Sequence, residues 1–142
     1  MADLLDASVW LPLSAAGHVH HGRARDYWAN QSGDQIAFCR VTVLALLRHL
    51  TNRRIMGPDV QTAEQAWGIY ERWREVPDVL HLSEPDGVDA QLAEWSETLK
   101  LESGHWTDAY LAAVAVSGGH RLVTFDADFK RYPNLEFLHL EK

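Results

Sequence analysis

A chain of 142 residues with 46% apolar content is long enough to bury a sizeable core and too apolar for a disordered tail. Its formal charge of −7 argues against a protein that holds nucleic acid by electrostatics alone, because such binding needs Lys and Arg to neutralise phosphates. Cys39 is the only cysteine, which excludes an intramolecular disulfide and suits a reducing cytoplasm; no apolar run approaches the ~20 residues that span a bilayer.

Residues 3–6 read as a strand from the outset, so no cleavable leader is expected. A short helix is expected over residues 9–14, with Gly17 as breaker, and a longer one over 19–31. A second strand, 35–39, precedes a helix over 42–50. There Val43, Leu44, Leu46, Leu47 and Leu50 cover more than one face, the pattern of a helix buried on several sides or meeting a partner. Val60, Ala63, Trp67, Tyr70 and Trp73 predict an amphipathic helix over 59–75, with Pro58 at its first turn. A strand at 79–82 and a helix over 87–100 follow. An Ala-rich helix over 107–117 is closed by Gly118 and Gly119. Strands at 121–125 and 136–140 flank a Pro133-Asn134 turn. Strands alternate with helices throughout, and no linker or repeat interrupts them. The expectation is one α/β domain over residues 1–142, a parallel sheet with helices on both faces.

That architecture gathers acids distant in sequence. Ligands of an open parallel sheet sit outside the carboxyl ends of its strands. Asp6 ends the first strand, and Asp126 and Asp128 follow the strand 121–125. Asp108 opens the helix that feeds that strand, so it lies at the same rim. Clustered carboxylates repel unless protonated or bound to a cation. Oxygen donors without His or Cys suit Mg²⁺ or Mn²⁺, which polarise phosphoryl oxygens and activate water. The matching chemistry is phosphodiester hydrolysis. Each acid also has a plainer role: Asp108 complements a helix dipole, and Asp126 and Asp128 are turn formers. Asp6, placed directly after two leucines, is the hardest to explain that way.

The motifs Leu-Leu-Asp6-Ala-Ser8-Val-Trp, Thr107-Asp108-Ala-Tyr-Leu-Ala-Ala and Thr124-Phe-Asp126-Ala-Asp128-Phe129, in this order, resemble those of PIN-domain ribonucleases, in particular the VapC toxins of type II toxin–antitoxin pairs. The resemblance implies a three-layer α/β/α PIN-like fold with a mainly parallel sheet of four to five strands. It implies a cytoplasmic Mg²⁺- or Mn²⁺-dependent endoribonuclease, neutralised by a cognate antitoxin. Asp6, Asp108 and Asp126 would hold metal, with Asp128 assisting catalysis. Ser8 and Thr124 would orient a carboxylate or a water. The family commonly carries a Glu in the first turn of the helix after strand two. By the Thr42 and Arg48 landmarks that position here is Val43. The alternative is therefore a PIN-fold module that binds RNA or protein with weak or no catalysis.

Arg40, following strand two, is placed either on RNA phosphate or in a salt bridge to one of the acids. Lys130 and Arg131 read as solvated. His18, His20 and His21 form no zinc motif; they read as loop or capping residues, with an RNA contact left open. Trp67, Trp73 and Trp95 fall on core-spaced faces, as packing or a dimer seam, and the apolar 41–50 segment likewise suits a partner or homodimer.

Overall fold

The computed structural model describes residues 1–142 and contains five strands: β1 (Asp3–Leu5), β2 (Ile36–Cys39), β3 (Val79–Leu82), β4 (Arg121–Thr124) and β5 (Phe137–His139). Their order is β3-β2-β1-β4-β5, and every pair is parallel. Leu4, Ala37 and Leu122 pack on one face; Leu5, Ile36, Phe38 and Val123 pack on the other. Burial on both faces explains why these strands read as apolar runs without alternation.

Helices α1 (Ala7–Ser14), α2 (His21–Asn30), α3 (Arg40–Leu50) and α5 (Ala63–Arg74) supply the core on the Leu5 face. Helices α6 (Val88–Thr98) and α7 (Trp106–Gly118) cover the Leu4 face. Ala109, Ala112, Ala113 and Ala115 of α7 are fully buried, so small side chains let this helix lie close to the sheet. Gly119, at φ 70°, ends it, and the His120 N–H donates back to Ala115 O at 2.9 Å.

Three expectations shift. α3 starts at Arg40, directly off β2, because the Thr42 hydroxyl accepts from the Cys39 N–H at 3.0 Å and closes the first turn. α5 starts at Ala63 rather than 59, where Thr62 and Gln65 cap each other reciprocally. Pro58 lies instead in a 3-10 turn (Gly57–Asp59) after a short helix, α4 (Arg53–Met56). Trp95 is buried and Trp73 half-buried, but Trp67 is 45% exposed and donates to Glu71.

The amino edge of the sheet carries a buried ion pair. Arg121 forks onto both oxygens of Asp3, at 3.0 and 2.7 Å, and the Tyr27 hydroxyl and Gly33 N–H also donate to Asp3. Burial pushes the Asp3 carboxyl up, but these donors outweigh it and hold the group below its ordinary value.

Candidate functional site

β1 lies between β2 and β4, so the chain order reverses beside it. A reversal of this kind opens a crevice at the carboxyl ends of the strands. An open cleft of about 770 Å³ occupies that place. Asp6, leaving β1, Asp108, in the first turn of α7, and Asp126, after β4, all line it.

Asp6 is held in a fixed pose. The Ser8 hydroxyl donates to its Oδ2 at 3.0 Å, and the Thr124 hydroxyl donates to the same oxygen at 2.9 Å. Both hydroxyls are themselves held: the Phe125 N–H donates to Ser8 Oγ, and the Asp126 N–H to Thr124 Oγ1, each at 3.0 Å. Oδ2 is thereby occupied, and Oδ1 is left for the cleft. The register that sets Leu5 beside Val123 brings these groups together from positions 118 residues apart.

No salt bridge neutralises the three acids. Burial, then the charges of Asp6 and Asp126, push the Asp108 carboxyl up to about 6. An oxygen-only donor set with uncompensated charge fits a hard divalent cation. No group of three or more His, Cys, Asp or Glu side chains is gathered closely enough to cage an ion alone. The fit is therefore to an ion that keeps part of its water, as Mg²⁺ does.

The crowding has a consequence for stability. The folded-state pKa of Asp108 lies above its unfolded value, so the native state binds the extra proton between pH 3.8 and about 6. Stability falls as pH rises through that window, and ionised Asp108 opposes the fold at neutral pH. In chelator at pH 7.5, Asp108→Asn is therefore expected to melt at a higher temperature than the wild type. The gain should shrink toward pH 4. A variant that melts lower at pH 7.5 would contradict this.

Two expected site residues do not line the cleft. Asp128 is exposed, because the chain turns into a 3-10 helix (Ala127–Arg131) capped by Asp126, whose Oδ1 accepts from the Asp128 N–H; its charge still helps to raise the Asp108 carboxyl. Arg40 is exposed at the start of α3, near His81 of β3, and forms no salt bridge.

The α3 position assigned to the family Glu also needs correction. Val43 is fully buried among Leu5, Phe38 and Leu46. Ala45, Arg48 and His49, at i, i+3 and i+4, line the cleft instead. His18, His20 and Phe125 line it as well. His21 does not; its Nδ1–H ties α2 to the Pro12 carbonyl at 2.7 Å.

A family model for the PIN domain matches residues 4–135. The chain is 40% identical to Ribonuclease VapC41 of Mycobacterium tuberculosis over 98% of its own length and 99% of that protein's. It is 34% identical to Ribonuclease VapC29 of the same organism, over 89% and 87%. Among solved structures, Mycobacterium tuberculosis VapC20, described as a sarcin-ricin loop cleaving toxin, superposes with a TM-score of 0.67 at 25% identity, over 93% of this chain and 95% of that one. VapBC-1 from nontypeable Haemophilus influenzae gives 0.69 at 18% identity, over 99% and 98%, a likeness of fold.

Proposed function

The chain belongs to the PIN-domain family, within its VapC group, and from that premise we propose that it is a Mg²⁺- or Mn²⁺-dependent endoribonuclease, the toxic component of a type II toxin–antitoxin pair. The observation that carries this proposal is the convergence of Asp6, Asp108 and Asp126 on one cleft, with no salt bridge to any of them.

Asp6 and Asp108 would hold the metal, and Asp126 would complete the site. When bound, the ion polarises a phosphoryl oxygen of RNA and lowers the pKa of an attacking water. Ser8 and Thr124 fix the Asp6 carboxylate, so little reorganisation is required when substrate arrives. Arg48, which lines the same cleft, presents a guanidinium suited to a phosphate. The partners that follow are a structured RNA, a cognate antitoxin and a second copy of the chain, in the cytoplasm. Solved relatives in which VapB and VapC are found together support the antitoxin. Leu44, half-exposed on α3, is the apolar residue that suits a dimer contact. No helix is long and apolar enough to cross a membrane.

A second proposal, a PIN-fold binding module without catalysis, draws on one observation: the α3 wall carries Ala45, Arg48 and His49 and no carboxylate. Cleavage of structured RNA by the wild type, reduced at least roughly a hundredfold in Asp6→Asn, separates the two. RNA binding without cleavage would favour the module.

A further inference from the structure

Part of the cleft lining is built from aromatic rings. His20 stacks on Phe125 with centroids 5.1 Å apart and planes 21° from parallel. His18 continues the row at 5.5 Å and 49° from His20. All three rings line the cleft. Two bonds brace them: the His20 N–H donates to His18 Nδ1 at 3.0 Å, and His139 Nε2 bonds the Phe125 carbonyl at 3.2 Å. The acceptor role fixes His18 Nδ1 without a proton, so its Nε2 is the donor of the neutral ring. No carboxylate pairs with either imidazole.

The charge balance gives these rings a task. Arg48 and Lys142 are the fixed cations lining the cleft, against three carboxylates, in a chain of net charge −7. Phosphate attraction by the chain's own side chains is therefore weak, and contacts that ignore charge would add to what Arg48 and a bound cation supply. Stacking on ring faces is such a contact and accepts any base. Phe125 also sits between Thr124, which is bonded to Asp6, and Asp126, which lines the acidic floor. A base laid on this row brings its own phosphodiester to the carboxylates.

We propose that the His18–His20–Phe125 row is the seat of an unpaired nucleobase, which positions the RNA strand over the acidic floor. The inference rests on the ribonuclease proposal above and adds the part of the substrate that is held. The seat takes a base that is already unstacked, in a loop or a single strand, because a paired base presents no free face.

The test compares two short single-stranded oligoribonucleotides, one with all its bases and one abasic at its central positions. Affinities are measured in the Asp108→Asn background, which keeps the RNA intact during titration. Expected is a roughly tenfold loss of affinity for the complete strand in His20→Ala, no change for the abasic strand, and wild-type affinity in His20→Phe. An equal loss for both strands would make His20 a phosphate contact or a structural residue and overturn the seat. Unchanged affinity for the complete strand would also overturn it while leaving the ribonuclease proposal intact. If the parent protein binds neither strand and the wild type cleaves no RNA, both proposals fall together. Thermal melting of each variant checks that the fold survives substitution of His20, which is half-buried.

Discussion

Val43→Glu is expected to destabilise the fold strongly rather than to strengthen cation binding. Val43 is 0% exposed, in the same cluster as Leu5, Phe38 and Leu46. A carboxylate there is placed among apolar side chains, at a position that does not line the cleft. Burying an unpaired charge costs several kcal/mol after relaxation, and a domain of this size has only about 5–15 kcal/mol in total. Part of that cost can be avoided by holding the Glu protonated, but a buried acid without a hydrogen-bond partner still destabilises by about 1–3 kcal/mol and overfills the core. Ala45→Glu, half-buried on the cleft-lining face of α3, is expected to fold. Thermal melting of the two variants decides the matter: a Val43→Glu protein that melts near the wild type and binds cation more tightly would show that the face of α3 has been misplaced.

The second large effect lies at the other edge of the sheet. Arg121→Ala should lower stability by about 3–5 kcal/mol, because it strands the Asp3 carboxylate, which is only 2% exposed. For a chain of this length that is a fall in melting temperature on the order of 10 °C. Tyr27 and Gly33 would still donate to Asp3, so the loss stops short of the full cost of an isolated charge. Adding Asp3→Asn to Arg121→Ala removes the stranded charge and should recover part of the loss. The depressed Asp3 pKa sets the pH dependence. The pair stabilises above the ordinary carboxylate range, and its contribution is lost as pH falls through the folded-state value. A double variant as unstable as Arg121→Ala at pH 7 would contradict this view of the pair.

The convergence of Asp6, Asp108 and Asp126 was legible because it depends only on element order. A parallel sheet with alternating helices puts strand ends and the start of the returning helix on one rim, whatever the details. The hydroxyl pair around Asp6 was legible only through family resemblance, since it depends on the register of β1 against β4. What stayed hidden depends on local phase. Asp126 and Asp128, two residues apart, would share a side if the strand continued. The chain instead turns at Ala127, and Asp128 goes to solvent. The inward face of α3 depends on where its first turn closes. The Cys39–Thr42 bonds start the helix at Arg40, so Val43 points into the core and Ala45, Arg48 and His49 line the cleft. A sequence signal existed for these three in their i, i+3, i+4 spacing, but apolar residues on several faces of the segment obscured it. For His18 and His20 the sequence left an RNA contact open but could not place the rings. The path of residues 15–20 follows turn hydrogen bonds such as His18 N to Ala15 O and His21 N to His18 O, which composition does not announce. α4 was missed for a similar reason: four residues with no buried side chain leave no hydrophobic period to read.

The most direct measurement is RNA cleavage by chelator-treated protein before and after Mg²⁺ or Mn²⁺ is restored, with Asp6→Asn and Asp108→Asn run beside the wild type. Cleavage that is absent in chelator, returns with the cation in the wild type and stays absent in both variants is the expected result. Equal cleavage by all three proteins, in chelator as in metal, would contradict a carboxylate-held cation at the carboxyl rim of this sheet.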